Sequence, residues 1–265
     1  MRKAYAALGW ARSRHYAPAR TEPVIDAVLA QTVRTIHTNS RRTYGARRMA
    51  RSLQQHGFKV GRGRARTLMR RLDIQLRKKE FAYAKRNTKP APAENIVNQQ
   101  FDPGRKNEIW AGDITFIRTN EGFLYLAIVV DLFSRRVVGW ATSASPDARL
   151  AIKASRLAIA MRNPEAGLIV HTDQGASYTA DLYTQHLAEH GFVQSMSRKG
   201  NCWDNAVVER VFRSLKHEWF GERAFRTKAE AADEAIDFIG RYYNFERLHS
   251  TLNYLPPAEF ERMAA

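Results

Sequence analysis

Three apolar runs separated by short polar turns constrain this chain more than any other feature. IWAGDITFI (109–117), FLYLAIVVDLFS (123–134) and RVVGWATS (136–143) are each of strand length, and the turns TNEG and SRR leave no room for a helix between them. They predict an antiparallel meander. Beyond it the pattern alternates. DARLAIKASRLAIAMR (147–162) carries Leu150, Ala154, Leu157 and Ala158 on one side of a helix. GLIVHTD (167–173) is nearly all apolar, as a buried central strand is. YTADLYTQHLAEHG (178–191) reads as a helix ended by Gly191, and FVQSMS (192–197) as the last strand. After the polar loop RKGNCWDNA, Asp204 or Asn205 can cap a helix over AVVERVFRSLKHEWF (206–220). The order β-β-β-α-β-α-β-α predicts an α/β fold, a mixed five-stranded sheet with helices packed on it.

Charge separates the rest of the chain from this unit. The formal net charge is +17. Residues 1–106 hold 25 of the 43 Lys and Arg but only 6 of the 26 Asp and Glu, a net of +19 against −2 for residues 107–265. A polyanion is the usual partner of such a half; a solvated basic surface is the lesser alternative, because solubility does not require segregation. Residues 23–37 place Val24, Val28, Val33 and Ile36 near helical spacing, 44–56 read as a second helix ended by Gly57, and 63–72 as a third. In the third, Ala65, Leu68, Met69 and Leu72 face inward and leave Arg64, Arg66, Arg70 and Arg71 for solvent or phosphate. Two short helices around a turn, with arginines on the second, suit a helix-turn-helix DNA reader. A basic bundle without groove recognition is the alternative, because HGFKVGR is longer than the tight turn. The expected division is a basic helical region at 1–76, a linker at 77–106 and a sheet-based core with a helical extension at 107–265.

Other function classes drop out on composition. No run approaches the roughly 18 apolar residues of a membrane span, and no charged-then-apolar signal opens the chain. One cysteine, Cys202, excludes an intrachain disulfide and a Cys2His2 finger. A cytoplasmic, bacterial-type protein is the expectation.

Three acids in this pattern can bear chemistry. Asp113 lies inside the first strand, Asp173 ends the fourth, and Glu209 sits one turn into the last helix. A carboxylate in an apolar strand is costly unless it is paired or binds metal. Oxygen ligands without Cys or clustered His favour Mg²⁺ or Mn²⁺ over zinc. Each acid also has a structural reading: Asp113 in a cross-sheet pair with an arginine, Asp173 in an Asx-turn through Gln174 and Gly175, Glu209 solvated beside Arg210 and Arg213. Asp131 competes with Asp113 and Asp204 with Glu209, though helix capping explains Asp204 well.

Several ordered motifs resemble those of one family. WAGDITFI (110–117), DLFSRRVVGW (131–140), HTDQGASY (171–178), SMSRKGNCWDNAVVERVFRSLK (195–216) and YNFERLHSTLNYLPPAEF (243–260) are similar to the second-frame (OrfB) transposases of bacterial insertion sequences. That family lies within the DDE transposase and retroviral integrase superfamily. YGARRMARSLQQHGFKVGRGRARTLMRRLDI resembles the family's helix-turn-helix segment, so the likeness spans nearly the whole chain. Asp173 and Glu209 are separated by 35 residues, a spacing common in that superfamily. Trp203 stands where the relatives more often have tyrosine.

The resemblance implies an RNase H-like core whose metal-binding triad is Asp113, Asp173 and Glu209. It implies two Mg²⁺ ions per site, with Mn²⁺ able to substitute, and metal-dependent nicking and strand transfer at insertion-sequence ends. Lys216 falls where the superfamily often has a basic residue contacting DNA near the cut. Glu209, Arg213 and Lys216 then share one helix face, opposite Val208, Val211, Phe212 and Leu215. Implied partners are double-stranded DNA, a second copy of the chain on paired ends, and a first-frame protein or frameshift-fused form; the implied location is the nucleoid. For Tyr243, Asn244, Arg247 and His249 the expectation is packing of a terminal segment against the core. A regulator with an inactive core and an RNase H-like nuclease or junction resolvase are the rival readings; the three acids weigh against the first, and the basic amino-terminal region with the 35-residue spacing against the second.

Overall fold

The computed structural model describes residues 26–77, 93–198 and 205–264. Val24, Cys202, Trp203 and Asp204 lie outside these. The basic region forms three helices, α1 (Ala27–Asn39), α2 (Ala46–Gln55) and α3 (Arg62–Arg71). Asp26 caps α1 by accepting the Val28 N–H at 2.9 Å, and Gly57, at φ +85°, follows the end of α2. Their shared core holds Leu29, Val33, Ile36, Met49, Leu53, Ala65 and Leu68. Val28, expected inside, is 65% exposed. Leu29, Val33 and Ile36 make the i, i+4, i+7 stripe, and Val28 stands one residue off it. Leu72 is only half-buried.

The sheet comprises β1 (Ile109–Thr119), β2 (Gly122–Asp131), β3 (Val137–Ser143), β4 (Ile169–Thr172) and β5 (Val193–Met196), in the order β3-β2-β1-β4-β5. The meander is antiparallel; β4 runs parallel to β1, and β5 to β4. Even-numbered β1 residues, Trp110 and Ile114, pack under α4 (Ala148–Arg162). At Gly139 a Cβ would fall 2.2 Å from the Ala154 carbonyl oxygen, so α4 lies directly on the β3 backbone. Odd-numbered residues Ile109, Ala111 and Ile117 face Val208, Val211, Phe212 and Leu215.

Two predicted helices change character. The one expected over 178–191 splits at extended Ala180 into α5 (Ala176–Thr179) and α6 (Asp181–Glu189). The one expected over 206–220 is α-helical only as α7 (Ala206–Ser214), then continues with π-helical bonding over Leu215–Phe220. Then follow α8 (Lys228–Asp237), a second π-helical stretch (Phe238–Glu246), a 3₁₀ turn (Ser250–Leu252) and α9 (Pro257–Met263). Part of the predicted linker lies on the sheet. Met196 N–H donates to Glu94, Ile96 N–H to Ser195 Oγ, and Val97 is buried. Among the described residues no helix is long and apolar enough to cross a membrane.

Candidate active site

The last β1–β4 pair is Gly112 with Thr172. Asp113 and Asp173 are the next residues on these two parallel strands, whose spacing is about 4.8 Å. Here β4 ends while β1 runs on to Thr119, so the two carboxyl groups flank the point where the strands part. Asp113 is buried and belongs to the odd-numbered face that α7 covers. Its Oδ1 accepts the Ile114 N–H at 2.7 Å. Asp173 is half-buried and makes the Asx-turn, its Oδ1 accepting the Gly175 N–H at 3.0 Å. A Cβ on Gly175 would lie 2.8 Å from that oxygen, so glycine permits the close approach.

Asn205 joins α7 to this edge. Its side chain makes no helix cap; instead Nδ2 donates to the Gly112 carbonyl at 3.4 Å. Glu209 lies one turn further on and is half-buried. Lys216 is half-buried, its Nζ 4.7 Å from the centre of the Phe116 ring on the part of β1 beyond β4, and Arg213 is exposed. Register thus sets the two aspartates on adjacent strands, and the Asn205 bond holds the start of α7, the helix of Glu209, at the same edge. Among the described residues, however, no three His, Cys, Asp or Glu side chains are grouped closely enough to hold a metal. Thr172 Oγ1 and Asn205 Oδ1, on either side of Gly112, are buried without a hydrogen-bond partner among the described residues.

Asp131 has a different task. It is fully buried, and its carboxylate accepts the backbone N–H groups of Asn107 (2.9 Å) and Phe133 (3.0 Å). Burial pushes its pKa up despite those bonds and Arg162. It fastens the start of β1 to the turn after β2.

The Integrase core domain family matches residues 103–202, a second Integrase core domain family matches 190–257, and an HTH-like domain family matches 25–81. The chain is 36% identical over 250 residues to the transposase for insertion sequence element IS904 of Lactococcus lactis, covering 94% of this chain and 98% of that one. It is 37% identical over 226 residues to transposase InsF for insertion sequence IS3A of Escherichia coli K12, covering 84% and 78%. The chain belongs to the family of bacterial insertion-sequence transposases. A solved HTLV-2 integrase catalytic core domain, in complex with magnesium, is similar over 60% of this chain and 98% of that chain, at 17% identity and a TM-score of 0.46.

In this transposase, Arg64, Arg66 and Arg70 are exposed on α3 and Arg71 is half-buried. The carboxy-terminal motif, expected to pack, does so through polar groups. Asn244 Oδ1 accepts the Val137 N–H and its Nδ2 donates to the Val137 carbonyl, both at 3.0 Å. Arg247 donates from Nε and Nη2 to Glu218 at 2.8 and 2.7 Å, and Arg48 of α2 reaches the same carboxylate at 3.4 Å. Burial pushes Glu218 up, but the two guanidiniums outweigh it and hold the group below the ordinary glutamate range. Leu248 N–H donates to the Tyr44 hydroxyl, and the Leu248 side chain joins the three-helix core. The Arg41 guanidinium lies 3.2 Å over the Trp219 ring. Composition gave no sign of this network, because its partners are separated by up to 204 residues.

Proposed function

We propose that Asp113, Asp173 and Glu209 hold divalent magnesium, two ions per site with manganese able to substitute, for DNA nicking and strand transfer. The carrying observation is the register that sets Asp113 beside Asp173 where β4 ends. The donor set fits such an ion: all three are hard oxygen ligands, and no cysteine stands among the described site residues. Bound ions of this kind supply activation of an attacking oxygen and stabilisation of the leaving oxygen at a phosphodiester. Glu209, half-buried one turn into α7, would supply the third oxygen ligand.

The protein is a transposase, with a helix-turn-helix-like region for DNA. In the proposed cycle, water attacks the phosphorus at an element end, the P–O3′ bond breaks, and a 3′-hydroxyl is freed. That hydroxyl then attacks a second phosphodiester, forming one P–O bond as another breaks. Lys216 and Arg213 steady the phosphates along the α7 face, and the arginines of α3 hold the flanking duplex. Two copies act on paired ends, with the first-frame protein or a fused form as partner, in the bacterial cytoplasm.

The test replaces Asp113→Asn, Asp173→Asn and Glu209→Gln. Each keeps size but removes charge, and each should nearly abolish nicking and joining in Mg²⁺ while DNA binding survives. Ca²⁺, larger and looser in geometry, should permit assembly without chemistry. A variant that joins at near wild-type rate removes its residue from the triad. Cleavage that persists in chelator overturns the metal mechanism. Inactivity in every metal, with binding intact, favours a regulator.

A further inference from the structure

A second polar site lies one stripe round α7 from Glu209 and Arg213. Val207, Arg210 and Ser214, at i, i+3 and i+7, form one wall of a cavity of about 220 Å³. Asp102, Arg135, Tyr243, Arg247 and Thr251 are among the other lining residues. The Arg135 side chain is 11% exposed and that of Arg247 is 7%. Arg135 donates to the Phe101 carbonyl at 2.8 Å and pairs with Asp102, whose side chain is 91% exposed. Arg247 is held by Glu218, which Arg48 also meets. Three guanidiniums, of Arg135, Arg210 and Arg247, thus line the cavity with one carboxylate, Asp102, which is almost wholly in water. Burial and the neighbouring Arg247 hold His249, also in the wall, well below the ordinary histidine range, so it adds no further cation at neutral pH.

The withdrawn guanidiniums of Arg135 and Arg247 have carboxylate partners, whereas Arg210 at the cavity's edge is exposed and makes no ion pair among the described residues; the planar fork of a guanidinium matches phosphate oxygens. The hydroxyls of Ser214, Tyr243 and Thr251 give further hydrogen-bonding capacity at the same wall. A cavity of this size is below the roughly 300–1,000 Å³ of drug-sized ligand sites. It suits a phosphate with part of its sugar. We propose that it seats one backbone phosphate of the DNA, beside the strand that meets Glu209. The inference rests on the reading that DNA follows α7. It does not require metal.

The experiment measures binding of the full-length chain, in chelator, to duplexes bearing its own element end. Each duplex carries a single neutral methylphosphonate in place of one phosphate. For wild type, one position or two adjacent ones should weaken binding. In Arg210→Ala the same positions should lose their effect, and the slope of log K against log salt should become less negative by about 0.9, one contact. Thr251→Glu, which places a carboxylate at the exposed rim on a different element, should act likewise. Arg262→Ala, exposed and outside the cavity, should keep the wild-type pattern, as should Asp113→Asn. The last comparison separates failure here from failure of the triad. Wild-type scans and slopes in both Arg210→Ala and Thr251→Glu overturn the proposal. So does thermal stabilisation by inorganic pyrophosphate that needs Arg210 while the DNA scan does not, which assigns the cavity to a free phosphate compound.

Discussion

Gly175 and Asn244 show how much one side chain, or its absence, decides. The Asp173 carboxylate accepts the Gly175 N–H at 3.0 Å, and a Cβ at that position would fall 2.8 Å from the same oxygen. Gly175→Ala should therefore displace the carboxylate and lower joining by up to about 10²-fold, the cost that a misplacement near 1 Å can reach. DNA affinity and melting temperature should change little; unchanged joining would show that the Asx-turn does not set the carboxylate. Asn244 acts on stability instead. It satisfies both backbone groups of buried Val137 in place of a neighbouring strand. Asn244→Ala leaves both without a partner and should cost about 2–4 kcal/mol, read by denaturant unfolding.

Among the elements, the continuation of α7 matters most. Its α-helical part carries Glu209 and Arg213, while the π-helical part carries Lys216 and Glu218. The wider π turns change the phase expected from a uniform helix. Lys216 thereby stands over Phe116 while Glu218 meets Arg247. Acid should loosen this junction in two windows. His249 is held well below 6.5, so an unfolded chain takes up a proton that the folded chain refuses. Stability should fall as pH drops below about 6.5. Glu218 is held below 4.5, so its contribution is present above that value and fades as pH falls further. Melting temperatures between pH 7 and 5 should decline for the wild type and flatten for His249→Gln. An equal decline in both would assign the window to other groups.

Across the whole molecule, the basic three-helix region is docked on the sheet-bearing part rather than tethered beside it. Arg41 on Trp219, Arg48 on Glu218 and Leu248 within the three-helix core fix that placement. Two arginines of the basic region are thus engaged in docking, while Arg64, Arg66 and Arg70 on α3 remain exposed. If α3 carries the duplex, replacing these three by Gln should reduce the salt slope by up to about 0.9 per residue. The slope of the triple variant, measured by anisotropy, decides; a slope equal to wild type would move DNA binding to α7.

Local pattern was enough for much of this architecture. Alternation in 109–143 specified a hairpin meander, since a one-residue slip would turn every buried side chain outward. The apolar run ending at Asp173 specified a central strand. The basic helices followed from apolar spacing, apart from Val28 and half-buried Leu72. Ordered motifs, not periodicity, singled out Asp113, Asp173 and Glu209, because an acid in a strand has structural uses too, as Asp131 shows. Tertiary structure alone set the Gly112–Thr172 register that makes neighbours of two aspartates 60 residues apart. It also made Asn205 a tether rather than a cap, and turned Arg247 toward Glu218. Such contacts depend on which faces meet after collapse, and residues far apart in the chain leave no periodic trace of that meeting.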